Sequence, residues 1–494
     1  MRNHLTRRDW ITSATSALAA AGLSACGPKP TLETPSASPL NDRPNIIVYL
    51  ADTMRADHLS CYGYPIQTSP GIDWMAGLGV LFEKNTSGSN WTKPALGTML
   101  TGVPARVHRA VVSGPSVENP DPTSYRVEVL RDVFETLPTI LKSVGYSTAY
   151  FQANPHGRPE FGYGRGFDTA RCEGTMSPRR QMETALRWAK HIASEPFFLF
   201  IHEIDPHGPY VPTTRSFRRL HGSNPPKFIR NLDPDEAKRV TRYVEMLGAG
   251  PEIKQAVQGI SMEANRYIQM NYDAEIYQID SLIEEFVLGL TEMGIMDHTI
   301  VALTSDHGEA FGEHGYYAHG SGLPYDELLR VPLIMFGGNL PQGVRVPHNT
   351  TMLDFYPTLL ELAQAPIPEY VPGKPMFSAE RELLVKENRL AYIDIDKRSP
   401  NLSNWDAAII TGQYKVASQN NRSAYLIFDR ELDPGERKNL VGTGTLSIEE
   451  EQNLISALQT EVAKYEALGE SFGAPEWTDG DQNLQEELNA LGYV

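Results

Sequence analysis

Cysteine is scarce in this chain, which has three in 494 residues: Cys26, Cys61 and Cys172. None of them belongs to a Cys-x-x-Cys pair or to a cysteine–histidine spacing typical of zinc, which excludes a redox motif or a zinc finger of that kind. Spacing alone leaves a disulfide between Cys61 and Cys172 open.

Basic residues and long apolar runs are also in short supply. Lys and Arg number 44 against 61 Asp and Glu, a formal net charge of -17. That balance argues against nonspecific binding to nucleic acid or to an anionic membrane surface. The sequence shows no set of spanning helices, no fixed-period repeat and no coiled-coil run. Hydrophobic residues still make up 41% of the chain, which is enough to bury a large core.

The first 25 residues predict an export signal. A basic start with Arg7 and Arg8 precedes a weakly apolar stretch that is too short to span a membrane. The segment Thr6–Ile11 resembles a twin-arginine signal, and Leu23–Cys26 resembles a lipobox. We therefore expect cleavage before Cys26 and its lipidation; an ordinary signal peptide with an incidental cysteine is the alternative.

Residues 26–44 predict an extended tether, because they contain five prolines, Pro28, Pro30, Pro35, Pro39 and Pro44. Together with the signal, the tether predicts an exported protein anchored by lipid on the periplasmic side of a bacterial membrane or at the cell surface. A twin-arginine substrate folds in a reducing compartment before export, which favours free thiols at the two remaining cysteines.

The body of the chain alternates predicted strands and helices. Continuous apolar runs predict buried strands at 46–50, 148–151, 197–201, 300–303 and 333–336. Apolar residues at helical spacing predict helices over 182–192 and 276–290. The alternation predicts an α/β fold with a doubly wound, mostly parallel sheet covered on both faces.

The pattern changes after Asp394. Three short strands are predicted at 407–410, 414–417 and 425–428. Ser447 and Glu450 form a possible capping box for a following helix. We therefore divide the folded part into a catalytic domain, residues 45–394, and a small C-terminal α+β subdomain, residues 395–494.

Polar residues follow the predicted strands at their carboxyl ends. Asp52 follows the first strand, Asp306 and His307 follow the fourth, and His207 lies shortly after the third. A lone Asp after a strand is commonly a helix cap. Ligands of such sheets bind at the carboxyl ends of the strands, and carboxylates with imidazoles suit a divalent cation. The pattern therefore predicts a metal site.

A series of motifs occurs in order along residues 43–494. They are Arg43–Ile47 leading to Asp52, Arg55–Gly63, Asn90–Pro94, Leu100–Gly102, Asp205–Tyr210, Tyr272–Ile276, Thr304–Glu309, Gly312–Gly315, His319–Gly320, Tyr325–Leu333 and Asp429–Leu440. Together they resemble the sulfatase family of the alkaline phosphatase superfamily. The resemblance implies an alkaline-phosphatase-like fold and a metal-dependent hydrolase.

The resemblance also implies roles at the metal. Asp52, Asp306 and His307 match the residues that hold the principal cation, and Thr92 matches the nucleophile, which also binds it. The implied cofactor is one or two divalent cations, with Ca, Mg, Mn and Zn as candidates. A metal-bound hydroxyl has a lowered pKa and is a suitable nucleophile. The alternative for Thr92 is a helix cap before Pro94.

Further roles concern the substrate. His207 and His319 match histidines that grip the ester oxygens or protonate the leaving group. Asn90, Lys93 and Asp205 lie in matching motifs and are expected to contact the substrate. For Lys93, a solvent-facing lysine at a helix start is the alternative.

The chain departs from the family pattern where sulfate is handled. Threonine at position 92 cannot mature to formylglycine, so none is expected, and Ala95 and Leu96 replace a serine and an arginine of the motif. Thr53 replaces a paired acid, and Gln152–Pro155 lacks the basic residues of a Gly-Lys-x-His segment. A threonine nucleophile is similar to the phosphodiesterase, phosphoethanolamine transferase and lipoteichoic acid synthase branches.

Three functions follow from these residues. The first is metal-dependent hydrolysis of phosphate or phosphonate esters through Thr92, with phosphotransfer as a variant. The second is hydrolysis of a sulfate ester. The third is a catalytically silent lipoprotein that binds metal or glycan. The expected partner is an anionic ester, with glycans and lipid headgroups as candidates.

A basic segment, Thr214–Ile260, lies between two of the motifs. It contains nine Lys and Arg residues, among them Arg215, Arg218 and Arg219. We predict that this segment lies over the site mouth and helps to select an anionic or glycan substrate. The alternative, favoured for most of these charges, is a solvated helical insertion.

Overall fold

The computed structural model describes residues 43–480 except 112, 116–124, 175, 223–228, 230, 247–256, 258, 321 and 396–400, together with 484 and 486–488. The predicted signal, the lipidation site Cys26 and most of the tether lie outside the described residues and stay predictions. Among the described helices, none combines the length and the apolar character needed to cross a membrane. Cys61 and Cys172 are free thiols.

Seventeen strands are described. In chain order they are β1 (Asn45–Ala51), β2 (Gly79–Thr86), β3 (Ser113–Pro115), β4 (Tyr125–Val129), β5 (Ser147–Gln152), β6 (Thr169–Cys172), β7 (Phe197–Glu203), β8 (Thr299–Thr304), β9 (Ala310–Phe311), β10 (Tyr317–Ala318), β11 (Leu333–Gly337), β12 (Val344–Thr351), β13 (Ala391–Ile395), β14 (Asp406–Thr411), β15 (Tyr414–Gln419), β16 (Ala424–Asp429) and β17 (Glu476–Gly480).

Eleven α-helices are described. They are α1 (Pro70–Gly77), α2 (Thr92–Thr101), α3 (Ala105–His108), α4 (Leu137–Ser143), α5 (Pro178–Ile192), α6 (Thr214–His221), α7 (Pro234–Met246), α8 (Met262–Glu292), α9 (Asp326–Leu329), α10 (Phe355–Leu362) and α11 (Ile448–Ser471). The helices predicted from apolar spacing correspond to α5 and α8.

The main sheet has eight strands in the order β12-β2-β11-β8-β1-β7-β5-β6. Strand β11 is antiparallel to both of its neighbours, and the other neighbouring pairs are parallel. All five predicted strands belong to this sheet, which confirms the mostly parallel α/β fold. Three strands of this sheet, β2, β6 and β12, were not predicted. The edge strand β12 contains Pro347 and a register shift between Val346 and Asn349, which obscure its pattern.

Helices cover both faces of this sheet. In β1, Ile46 and Val48 pack into one apolar cluster with residues of α2, α4 and α10. Ile47 and Tyr49 point the other way and pack with residues of α1, α5 and α8. All seven residues of β1 are buried, as expected for a central strand covered on both faces. Residues at its carboxyl end are therefore held rigidly.

The C-terminal part forms a second sheet of four antiparallel strands, β13-β14-β15-β16, and the long helix α11. Ser447 and Glu450 make the predicted capping box at the start of α11. Strand β13 lies across the proposed boundary at residue 394, and β17 pairs with β4. The C-terminal part is thus tied to the larger part of the molecule at two places, through β13 and through β17.

A buried ion pair joins these two parts. Arg106 of α3 and Asp394 of β13 are both fully buried, and Nε of Arg106 lies 3.0 Å from Oδ1 of Asp394. The backbone N–H of Arg106 donates to Oδ2 of the same carboxylate at 2.7 Å. Removing one member of such a pair leaves the other charge buried with too few partners.

We expect Asp394→Ala to lower the free energy of unfolding by about 3–5 kcal/mol, measured by urea denaturation. The matched control is Arg422→Ala, since Arg422 and its partner Glu466 are each more than a quarter exposed. The control should cost less than about 1 kcal/mol. Equal losses in the two variants would contradict the structural role of the buried pair.

Candidate active site

Two carboxylates and an imidazole meet where β1 and β8 end. The strands are parallel neighbours with Leu50 opposite Thr304, so the residues that follow them, Asp52 and Asp306, come side by side. One ligand atom from each of Asp52, Asp306 and His307 lies within 4.8 Å of the others, and all three residues are buried. The structure therefore brings together the three residues predicted to bind a metal.

The donor atoms of this cluster are left open for a cation. Among the described residues, Oδ1 of Asp52 and Oδ2 of Asp306 are buried without a hydrogen-bond partner. Nδ1 of His307 lies 2.8 Å from the carbonyl oxygen of Gly308, which can only accept, so the proton is on Nδ1 and Nε2 presents a lone pair. Burial and the neighbouring Asp306 raise the pKa of Asp52 to about 7. Buried acceptors of this kind fit a divalent cation.

Thr92 lies directly against this cluster. Its Oγ1 is 3.2 Å from Nε2 of His307, and the residue is fully buried. The N-cap of α2 is Trp91, so the alternative in which Thr92 caps the helix is wrong. Thr92 is instead the first residue of α2, where the positive end of the helix dipole favours an anionic group.

Two residues that the sequence analysis did not assign complete the surroundings of Asp52. Nδ2 of Asn154 donates to Oδ2 of Asp52 at 2.6 Å and to Oγ1 of Thr92 at 3.4 Å. Nε2 of His202 lies 3.1 Å from Oδ2 of Asp52. His202 is opposite Leu50 in the parallel pair β1–β7, and that strand order is not visible in the sequence.

The segment compared above with a Gly-Lys-x-His segment, Gln152–Pro155, lies next to this cluster through Asn154. The residue after it, His156, is buried, and its ring centroid lies 5.3 Å from that of Trp91. The absence of basic residues from Gln152–Pro155 stays as the sequence gives it.

Three histidine rings form a row that begins at His307 of this cluster and continues through His319 to His207. The ring centroids of His307 and His319 are 4.4 Å apart, and those of His319 and His207 are 5.0 Å apart. Nδ1 of His319 lies 3.1 Å from Oε1 of Glu309, and Tyr210 donates its hydroxyl to Oε2 of the same carboxylate at 2.9 Å. Burial lowers the pKa of His207. The two predicted substrate histidines are thus adjacent to the site.

The three residues predicted to contact the substrate have different surroundings. Lys93 is fully buried, so the solvent-facing alternative is wrong. Asn90 donates from Nδ2 to the carbonyl oxygen of Leu323 at 3.4 Å. Asp205 accepts from Nε2 of Gln278 in α8 at 3.4 Å, and burial raises its pKa to about 6. Contact of these residues with a substrate stays a prediction.

Comparison with protein families gives two matches. The sequence model of the family described as "Sulfatase" matches residues 44–365. A second one, described as "N-sulphoglucosamine sulphohydrolase, C-terminal", matches residues 312–467 and includes most of the small sheet and α11.

Known proteins show the same likeness over most of the chain. An arylsulfatase of Clostridium perfringens is 25% identical over 500 residues, covering 90% of this chain and 98% of its own. A solved structure in complex with its substrate, D-glucosamine-2-N,6-O-disulfate, has a TM-score of 0.67 at 18% identity and covers 86% of this chain and 98% of its own. A phosphonate monoester hydrolase of Silicibacter pomeroyi has a TM-score of 0.64 at 18% identity, covering 85% and 95%.

At these identities, the two solved structures support the fold alone. The family match carries the assignment, because it spans well over half of the chain and includes the cluster of Asp52, Asp306 and His307. The side chains of Asp52, Asp306 and His307 fit the divalent metal that enzymes of this family use. This chain therefore belongs to the sulfatase family of hydrolases, within the alkaline phosphatase superfamily.

Proposed function

We propose that the chain hydrolyses a sulfate ester, or the isosteric phosphate or phosphonate ester, at the metal cluster with Thr92 as nucleophile. The observation that carries the proposal is the position of Oγ1 of Thr92, 3.2 Å from Nε2 of His307 and at the start of α2. A hydroxyl held there is next to the donor atoms for a cation and at the positive end of a helix.

Asp52, Asp306 and His307 would hold the cation, with Thr92 beside them. Bound there, a divalent cation lowers the pKa of a coordinated hydroxyl and offsets charge on the ester oxygens. Two carboxylates and one imidazole form a mixed donor set, whereas Ca prefers six to eight oxygens. We therefore propose Mn or Zn ahead of Ca and Mg.

The other residues position the nucleophile and handle protons. Asn154 donates to Oγ1 of Thr92 and to Asp52, and this holds the hydroxyl against the cluster. Glu309 accepts from Nδ1 of His319 and orients its ring, so Nε2 is the nitrogen of His319 that is left to contact an ester oxygen. Nδ1 of His207 lies 2.6 Å from the carbonyl oxygen of Gly208, which leaves Nε2 to exchange a proton with the leaving group.

The names of the relatives favour the sulfate ester. This chain matches nearly the whole length of the arylsulfatase of Clostridium perfringens. The solved structure with a disulfated glucosamine shares the fold. A sulfate ester, given by the sequence as the alternative, is therefore the first candidate, and a sulfated glycan is a fitting source of it.

The chemistry of Thr92 favours phosphate or phosphonate esters as the second candidate. Threonine cannot become an aldehyde, so the covalent intermediate would be an ester of Thr92 that water has to cleave. Ala95 and Leu96 in the first turns of α2 carry no charge that could assist, and both are buried.

Replacing the nucleophile tests the proposal directly. We expect Thr92→Ala to lower kcat by at least about 10³-fold on any ester that the wild-type protein hydrolyses, since the reacting hydroxyl is lost. Thr92→Ser keeps a hydroxyl and should retain measurable turnover. Unchanged activity of the alanine variant, with an unchanged melting temperature, would exclude Thr92 as the nucleophile.

The group transferred to Thr92 can be identified from the covalent intermediate. Aryl sulfate, aryl phosphate and aryl phosphonate esters are assayed under one condition, and the reaction is quenched with acid during turnover. We expect the highest kcat/KM on the sulfate ester and a sulfated Thr92 by accurate-mass peptide analysis. Phosphorylated or phosphonylated Thr92 with little sulfate turnover would establish the second candidate instead. No turnover and no adduct with any ester would support the silent, metal- or glycan-binding protein.

Metal removal gives an independent prediction. We expect chelation to abolish activity and Mn or Zn to restore it. Because the pKa of metal-free Asp52 is about 7, the carboxyl group holds a proton below that pH, and metal affinity should fall as the pH decreases from 8 to about 5.

Asp306→Asn should lower metal content, measured by elemental analysis. The control is Asp297→Asn, because Asp297 is an exposed acid just before β8. Full activity of the metal-free protein, or equal metal content in the two variants, would contradict the assignment of the cluster.

A further inference from the structure

A large cavity lies outside the candidate active site, and none of the site residues lines it. It has a volume of about 890 Å³ and is bounded by the first turns of α5 and α6 and by the middle of α8. Ligand pockets for small molecules range from about 300 to 1,000 Å³, so a molecule of one or two sugar units fits.

The lining of this cavity is positively charged. Arg179, Arg215 and Arg219 contribute to it, and Glu285 is the one acid among its described lining residues. Glu285 is paired with Arg179 at 2.8 Å. Arg215 and Arg219 have no ion-pair partner among the residues that the structure describes. The cavity therefore carries an unbalanced charge of about +2 in a protein whose formal charge is -17.

The two helix ends add to this preference for anions. Ser177 and Thr213 are the N-caps of α5 and α6, and both line the cavity. Ser177 makes no side-chain capping hydrogen bond. Two positive helix ends thus face the same space as the two arginines, and each favours a negative group there.

The uncharged part of the lining suits a sugar better than a lipid. Tyr277 offers a half-buried ring, and Ser216, Gln278 and Ser281 offer hydroxyl and amide groups. The aliphatic contribution is limited to Leu282 and Pro178, which gives no surface for an acyl chain. An aromatic ring with several hydrogen-bonding groups matches the alternating apolar and hydroxyl surfaces of a saccharide.

One residue connects the cavity to the loop that carries His207. Gln278 lines the cavity, accepts from the backbone N–H of Thr213 at 3.0 Å and donates to Asp205 at 3.4 Å. Asp205 is two residues before His207 in the chain. A ligand in the cavity therefore contacts a side chain that also holds the loop of the candidate active site.

We propose that this cavity binds an anionic saccharide, a sugar unit carrying a sulfate or carboxylate group that Arg215 and Arg219 recognise. The site is separate from the ester-binding position at Thr92, and its binding does not depend on the proposed hydrolysis. Where one glycan occupies both places, the cavity holds a second anionic unit of the substrate, and that part rests on the proposed function.

The test measures binding of a sulfated disaccharide, its unsulfated counterpart and inorganic sulfate by isothermal titration calorimetry at low and physiological salt. The variant is Arg215→Gln combined with Arg219→Gln. The matched control is Arg218→Gln, because Arg218 is an exposed arginine on the same helix that does not line the cavity. All three positions are at the surface, and melting temperatures check the fold.

We expect the double variant to weaken binding of the sulfated disaccharide at least about tenfold, with no change in the control. The unsulfated disaccharide should bind at least about tenfold more weakly than the sulfated one. For any small aryl ester that is hydrolysed, kcat/KM should be the same in all variants, which separates this site from the nucleophile. If no ester is hydrolysed, the binding measurements alone test whether the cavity binds the anionic saccharide.

Three outcomes would overturn the proposal. They are undiminished binding in the double variant, an equal loss in the control, and no binding of the sulfated disaccharide to the wild-type protein. Binding of inorganic sulfate as tight as that of the disaccharide would also overturn it, because the cavity would then recognise a simple anion without the sugar.

Discussion

The site depends on two carboxylates, Asp52 and Asp306, that the fold holds side by side in a buried position. Each keeps one oxygen without a hydrogen-bond partner among the described residues. Burial and the second carboxylate raise the pKa of Asp52 to about 7, so the pair is poorly tolerated as two anions. A divalent cation held by Asp52, Asp306 and His307 would remove that repulsion. In the proposed function it would also lower the pKa of the Thr92 hydroxyl, so one ion would serve both the stability and the chemistry of the site.

The rest of the fold keeps these groups in place. Strands β8, β1 and β7 are adjacent, and they supply Asp306, Asp52 and His202 from neighbouring ends. Helices pack on both faces of the sheet, so the strand ends have little freedom to shift. Helix α2 brings Thr92 to the cluster from one face of the sheet. The centre is thus built from rigid elements, which favours accurate positioning of reacting atoms.

Family membership and substrate choice rest on different residues. The predicted metal ligands fit the sulfatase family, whereas the sequence resemblance predicts that Thr92, Ala95 and Leu96 replace other residues of its motif. The relatives' names favour a sulfate ester, and the threonine favours a phosphorus ester. Charge is also distributed unevenly, since an acidic chain encloses a cavity with two arginines that have no ion-pair partner among the described residues. Local charge therefore says more about the ligand than net charge does.

The sequence by itself determined the fold class, the family and the three residues of the metal cluster, because apolar periodicity and short motifs are local properties of the chain. The tertiary structure decided what depends on the order of the strands and on side-chain burial. It placed His202 and Asn154 against Asp52, buried Lys93, and made Trp91 rather than Thr92 the cap of α2. It also assembled the cavity from three separate helices. Such contacts join residues far apart in the chain, and no local pattern encodes them.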